Sequence, residues 1–545
     1  MKMHACVFLA IALAGLAGCT KVSTSTGLGP SGAHSWTQPG VLRISDISDP
    51  STLNPMLTGA DIAYQLSGYV LEYFVRLDDK GELVPVLITQ VPTLENGGIS
   101  KDGLTVTYHL RHGVTWSDGQ PFGAQDVIET WKQVMNPDNP VEIREGYDVV
   151  GSIDAPDRYT VVVHLKRPYA PFPTRFFAGI QEGPVAPLPA HIIAGAKDLV
   201  RSPLNNKPVG TGPFMLQSWE KNGQMVFVAN MHYWGGAPKI KKIIFQARTD
   251  NTEIVNFQTH ELDADIDATT NDLPSFRQLK DMNVVVTPSL RLSVLSMFTQ
   301  SGPLHDVRLR RAIAYSLDRA ELLQRISHGA GYLAAEFLPN WSWAFTNDVP
   351  RYDHDLTRAK ALLDEAGWKT GQDGYRYKDG QRLSLLFLSI AGSDSSKHFA
   401  ELTQQYLRAA GIDITIKNYP YGLIFDVSGP IRQGKFNLVS YSYSVNYDPA
   451  ALKDDGCDQF SPAGSNDSRL CDPEVDRQER RALIISARAE RKTIYADIER
   501  RRMEDIAVIP MWFRDRVGVL SVDVHGYKPS RSIMANWNMT EWSVP

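Results

Sequence analysis

The stretch Phe399-Ala400-Glu401-Leu402-Thr403-Gln404-Gln405-Tyr406-Leu407-Arg408-Ala409-Ala410-Gly411-Ile412-Asp413-Ile414-Thr415-Ile416 contains a helix, a stop and a strand in unbroken succession. Phe399, Leu402, Tyr406 and Ala410 fall on one helical face, and Gly411 offers the left-handed backbone that closes a helix. Ile412, Ile414 and Ile416 then alternate with polar residues, as a half-buried strand does. Helix, glycine, strand is the punctuation of an α/β unit, in which a helix covers one face of a sheet. Two further amphipathic faces lie upstream, one through Leu309, Ala312, Ile313, Leu317 and Leu323, the other through Leu356, Ala359, Leu362, Leu363 and Ala366, closed by Gly367. Downstream, residues 476–502 read as one long charged helix and residues 506–513 as a buried strand.

The front of the chain has a different texture. Residues 104–116 alternate Leu104, Val106, Tyr108 and Leu110 with polar neighbours, residues 159–165 are rich in β-branched side chains, and Lys221-Asn222-Gly223 suits a hairpin turn between two strands. Residues 36–290 are therefore expected to be mostly strand and turn. The tail beyond 513 returns to that composition, which suggests that it packs back on the front.

With 545 residues, 43% of them hydrophobic and 21% charged, the chain can bury more than one core. Its 56 basic and 61 acidic residues are interspersed, so no cationic patch invites nucleic acid. Lys2 precedes a short apolar run over residues 5–17 that ends in Leu16-Ala17-Gly18-Cys19. This resembles a lipoprotein export signal, too short to span a bilayer, with Cys19 as the acylated first residue of the mature chain. Residues 20–35, rich in Ser, Thr and Gly, then form a tether with a coil reach of roughly 20–25 Å. Cys6 leaves with the signal and Cys19 carries lipid, which leaves Cys457 and Cys471 in the folded body. An exported compartment favours pairing them, and closing that loop stabilises by roughly 3 kcal/mol; two free thiols are the alternative.

Several motifs, in order, resemble the extracytoplasmic peptide/nickel-type solute-binding proteins of family 5. They begin with Asp49-Pro50-Ser51-Thr52-Leu53-Asn54-Pro55, then Leu110-Arg111-His112-Gly113-Val114-Thr115-Trp116-Ser117-Asp118-Gly119 and Ala124-Gln125-Asp126-Val127. Pro208-Val209-Gly210-Thr211-Gly212-Pro213-Phe214 and Asn230-Met231-His232-Tyr233-Trp234-Gly235-Gly236-Ala237-Pro238 follow. The series ends with the helices that start at Asp306 and Ala359. The resemblance implies an α/β, two-lobe, type II binding-protein fold with an enlarged first lobe carrying an extra subdomain. Its expected boundaries are a signal over 1–18, a tether over 19–35, a discontinuous first lobe over 36–292 plus 511–545 and a second lobe over 293–510. The chain would cross between lobes near 290–298 and 509–513, and hinge closure there would bury the solute. A monomer delivering peptides or other extended solutes to ABC permease subunits at the membrane is the implied role.

In peptide-binding members a stretch resembling Trp-x-x-Asp-Tyr-x-Asp-Pro faces the cleft, and its first Asp meets the peptide ammonium. Here Tyr443-Ser444-Val445-Asn446-Tyr447-Asp448-Pro449 corresponds, with Asn446 where the Asp is expected. An amide offers only a dipole to an ammonium, whereas a carboxylate forms a bond roughly twice as strong. Three readings stay open: Asp448 takes the role, another carboxylate does, or the ligand lacks a free amino terminus. Tyr441, Ser442, Tyr443, Ser444, Asn446, Tyr447 and Asp448 are the candidate ligand-binding residues, the first four on a strand over 437–444 to whose edge an extended peptide can add.

Asp263, Asp265 and Asp267 fit the first positions of a calcium loop, but Ala268 stands where Gly is required and Pro274 where the closing Glu belongs. No hydrolase or zinc signature is present, and neither a cofactor nor a metal is expected. The alternatives are a receptor of the same fold for an oligosaccharide or metal chelate and, from a different class, a secreted enzyme on the same scaffold.

Overall fold

The computed structural model describes residues 33–46, 48–248, 250–460 and 463–545; the signal over 1–18 and Cys19 lie outside the described residues. Its backbone is a mixed sheet built from β1 (Val41–Asp46), β2 (Phe214–Trp219), β3 (Gln224–Ala229), β4 (Lys242–Ala247), β5 (Ala264–Ala268), β6 (Met282–Met297), β7 (Gly331–Leu333), β8 (Ser384–Ile390), β9 (Asp413–Tyr419), β10 (Leu438–Ser444) and β11 (Val508–Ser521). The order is β9-β8-β10-β6-β11-β5-β1-β4-β3-β2, with β7 alongside β11. Helices relevant below are α1 (Asp61–Val70), α2 (Ala124–Met135), α3 (Val307–Ser316), α4 (Leu356–Glu365), α5 (Asp394–Ala409), α6 (Pro473–Ile484) and α7 (Arg488–Asp505).

The stretch that opened the sequence reading becomes α5 and β9, and β9 lies parallel to β8, as an α/β crossover requires. Ser393 caps α5 by accepting from the Ser396 N–H, and Gly411 sits at φ +87° after the helix. Phe399 and Leu407 from α5, Ile313 from α3, Leu363 from α4 and Phe387 from β8 share one buried cluster with Leu292 and Phe513.

The two long strands β6 and β11 pair antiparallel from Met282↔Ser521 to Ser296↔Val508, with register slips around residues 288–294. They run through the rear cluster at Leu292↔Phe513 and past a front cluster at their other end, where Leu520 packs with Leu42, Phe227 and Phe245. The chain tail returns to that front cluster through Met539, Trp542 and Val544. A fully buried aromatic of this kind stabilises by roughly 1.5–3 kcal/mol. A third cluster, with Phe74, Tyr108, Trp116, Val161 and Phe176, lies on a small sheet formed by Thr105–His109, Thr160–Leu165 and Val150–Asp157.

Three motifs that carried the resemblance meet in this front region. The Gly210 carbonyl accepts from Ser117 N–H at 2.8 Å, while a Cβ on Gly210 would lie 1.9 Å from the Val70 oxygen, so only glycine fits. Trp234 Nε1 and Tyr233 Oη both donate to Glu72, at 2.7 and 2.6 Å, and the Arg111 guanidinium stacks 4.5 Å from the Trp234 ring centre.

Two expectations need correction. The long helix over 476–502 is two helices, α6 and α7, separated by extended backbone at Ile485 and Ala487. Folding back lets Val475 and Ala482 share a cluster with Ile494, Tyr495 and Ile498, while the Leu483 carbonyl accepts from Ala170 N–H in the front region. The front is also less purely strand than its composition suggests, because α1 and α2 lie within it. The acidic run over residues 263–267 is held in ion pairs: Asp263 accepts from Arg43 at 2.6 Å, and Asp267 lies between Arg291 and Arg516, both at 3.4 Å.

Candidate functional site

A cavity of about 810 Å³ separates front residues such as Gly59, Glu142 and Glu182 from rear residues such as Tyr443, Asp454 and Arg502. Sites for small solutes commonly fall in the range 300–1,000 Å³. The rear wall is built on β10. This strand pairs with β6 along its whole length, from Leu438↔Met297 to Ser444↔Arg291, but with β8 only at Leu438 and Val439. Beyond Val439, no strand among the described residues occupies its second edge. Backbone donors and acceptors on such an edge are available to an extended guest.

Of the candidate residues, Tyr441, Ser442, Tyr443, Ser444 and Asn446 line the cavity. Tyr441 and Tyr443 continue an aromatic row that starts at the exposed Tyr421 and passes through Phe425, with ring centres 5.1, 5.9 and 6.2 Å apart in turn. On the other face Ser442 Oγ lies 2.9 Å from Ser293 Oγ. Tyr447 and Asp448 are not in the wall. Tyr447 packs against the front cluster, and Asp448 is held in a buried ion pair by Arg491, which also donates to the Tyr495 hydroxyl at 3.1 Å. Asn446 spends its amide on the chain itself, donating to the Ala450 carbonyl at 2.8 Å.

Sequence reasoning missed most of the charged lining. Arg432 pairs with Asp467 at 2.8 Å, Arg502 with Asp455 at 3.1 Å and Arg175 with Glu145 at 3.5 Å, and Arg291 pairs with Asp61. Four charged members of the wall form no ion pair or side-chain hydrogen bond among the described residues: Glu142, Lys453, Asp454 and Arg514. Burial, reinforced by Asp455 beside it, pushes the Asp454 carboxyl up to about 7 despite the counteracting charge of Arg502. Burial likewise draws the Arg514 guanidinium down, with Arg291 nearby adding to the effect. The Glu182 carboxyl is raised by burial and by Asp61, against hydrogen bonding from Ser444. The signal for Asp454 was present in Lys453-Asp454-Asp455, just before Cys457, but nothing in the sequence says which of two adjacent acids lacks a partner.

Cys457 and Cys471 are joined as a disulfide. The loop they close carries Ser465, Asp467 and Ser468 into the cavity wall, and the Cys457 N–H is tied to Asp476 on α6 at 3.1 Å. Among the described residues no group of three His, Cys, Asp or Glu is arranged to hold a metal ion.

Residues 82–452 match the model of the bacterial extracellular solute-binding proteins, family 5, middle region. The chain belongs to this family. It is similar to Protein XP55 of Streptomyces lividans, 30% identical over 418 residues that cover 76% of this chain and 73% of that protein. It is also 28% identical over 400 residues to the dipeptide-binding protein of Escherichia coli K12, covering 68% of this chain and 70% of the relative. Among solved structures, NikA from Brucella suis in complex with Fe(III)-EDTA superposes with a TM-score of 0.81 at 23% identity, over 93% of this chain and 100% of the other. The family 5 member described here is accordingly an extracellular solute-binding receptor of the ABC-transport type, and the secreted-enzyme alternative falls away.

Proposed function

We propose that this family 5 receptor captures peptides or peptide-like solutes in the 810 Å³ cavity and passes them to the permease of an ABC importer. The observation that carries the reading is the free second edge of β10 inside that cavity, which offers main-chain partners in the spacing of an extended chain. Aromatic rings beside the edge can wall side-chain pockets without demanding one sequence. Unpaired charges of both signs, Asp454 and Arg514, suit a dipolar guest better than a neutral sugar. The relatives include a protein named for dipeptides, which supports the same class.

In this reading the lobes are 36–292 plus 511–545 and 293–510, and hinge closure turns on β6 and β11, the strands common to the front and rear clusters. Acylation at Cys19 holds the monomer at the membrane, and residues 19–35 give it reach to the permease. Native mass spectrometry of protein purified without refolding tests the reading, with a co-purifying peptide as the expected result. An empty cavity that stays empty across a di- to pentapeptide library overturns it.

A second reading, a non-peptide solute such as an oligosaccharide or metal chelate, is favoured by the neutral Asn446, and the complex recorded for the NikA structure is with a metal chelate. The same mass measurement separates the two by the composition of the released ligand.

A further inference from the structure

We infer that Asp454, framed by Tyr441 and Tyr443, is the counter-ion that a protonated amine of the bound solute meets. This rests on the cavity being the solute site. The argument is one of charge pairing in a confined space. Each acid that bears on Asp454 already has a guanidinium: Asp455 has Arg502 at 3.1 Å, Asp467 has Arg432 at 2.8 Å, and Glu145 has Arg175 at 3.5 Å. Asp454 has neither an ion pair nor a side-chain hydrogen bond among the described residues, although its carboxylate is half-buried. Lys453 precedes it on the same short turn and forms no ion pair with it; consecutive helical residues do not face each other.

An uncompensated carboxylate in a low-dielectric wall is costly to keep charged, so a cation arriving from the cavity gains more there than anywhere along the paired wall. The surroundings narrow the kind of cation. The Tyr441 and Tyr443 rings, with centres 6.2 Å apart on the adjoining strand, line the same cavity as Asp454, and aromatic rings attract an ammonium. No set of three metal-ligating side chains is gathered there among the described residues, so a multiply coordinated metal ion has too few donors. A protonated amine satisfies both features, and it can come from an amino terminus or from a lysine side chain.

The same surroundings make capture depend on acidity. With the free carboxyl pushed up to about 7 by burial and by Asp455, Glu145 and Asp467 against Arg502, the amine must displace a proton in acid. Affinity then falls by close to tenfold for each pH unit below about 7.

Isothermal titration calorimetry with three probes tests this: trialanine, N-acetyl-trialanine and N-acetyl-Ala-Lys-Ala, each at pH 5.5 and pH 8. Trialanine is expected to bind at least tenfold more tightly than its acetylated form at pH 8, and to lose at least tenfold on going to pH 5.5. Recovery by the acetylated lysine peptide assigns the amine to a side chain, and failure to recover assigns it to the terminus; either supports the inference. Asp454→Asn is expected to abolish both the amine preference and the pH slope while its far-ultraviolet dichroism matches the parent. Equal affinity for trialanine and N-acetyl-trialanine on the unmodified protein, or an amine preference that survives in Asp454→Asn, overturns the inference and leaves the peptide reading standing. Absence of binding by all three probes overturns both.

Discussion

Arg491 and Asp448 form a buried ion pair, Nη1 donating to Oδ2 at 2.7 Å, with side chains 4% and 10% exposed. The pair removes Asp448 from the list of groups free to meet a ligand, because a second cation would have to compete with a guanidinium already in place. Removing one partner of a buried pair strands the other, at a cost of about 3–5 kcal/mol. Asp448→Asn is therefore expected to lower stability by about that amount in chemical denaturation, while ligand affinity of the folded protein changes less than twofold. A large affinity loss at unchanged stability would return Asp448 to the ligand site.

Asn446 occupies the position where peptide-binding relatives are expected to carry an acid, yet it cannot simply be exchanged for one. Its Nδ2 donates to the Ala450 carbonyl at 2.8 Å, and an aspartate has no donor for that oxygen. Asn446→Asp is expected to destabilise by about 1–3 kcal/mol and to give no gain in peptide affinity. Calorimetric melting and titration with one peptide measure the two effects; a tenfold affinity gain would show the acid to be accommodated as a ligand group.

What could be read in the sequence follows the physics of each element. Helix α5 and strand β9 were legible because Phe399, Leu402 and Tyr406 repeat at helical spacing and Ile412, Ile414 and Ile416 at strand spacing. Helix α1 was not, because nine of its ten residues are buried and a helix covered on all sides has no apolar stripe to announce it. The break between α6 and α7 carries neither Gly nor Pro; what holds it is the long-range bond from Ala170 N–H to the Leu483 carbonyl, which no local pattern encodes. At the cavity, alternation over 438–444 found the strand and so Tyr441, Ser442, Tyr443 and Ser444. It could not foresee that Asp448, just beyond the strand, would be spent on Arg491, nor that Asp454 would be left without a partner, since both outcomes are set by which guanidinium arrives from a distant element.

The disulfide between Cys457 and Cys471 closes a loop with a sequence separation of 14 that carries Asp467, the partner of Arg432, into the cavity wall. Replacing both cysteines by serine is expected to lower stability by about 3 kcal/mol, from the extra freedom of the unfolded loop. Because the wall itself loosens, ligand affinity should fall several-fold as well. Thermal melts of the double variant with and without saturating ligand measure both; an unchanged ligand-induced shift would show that the loop plays no part in binding.

Glu336 and Glu499 lie buried near one another, the first accepting from Thr346 N–H at 2.9 Å and the second from Phe337 N–H at 2.9 Å. Burial first, and the Glu499 charge second, push the Glu336 carboxyl up to about 9, well above its unfolded value. The folded state therefore holds a proton that the unfolded chain has released across the window from about pH 4.5 to pH 9. Stability consequently declines as pH rises through that window, and the contribution of this group is greatest below it. Glu336→Gln keeps an oxygen to accept from Thr346 and carries no charge to be released. It is expected to melt within a few degrees of the parent at pH 5 and clearly above it at pH 9. Parallel melting curves at the two pH values would mean that Glu336 is ionised in the folded protein at neutral pH, with Arg502, already bound to Glu499 at 2.9 Å, serving both acids.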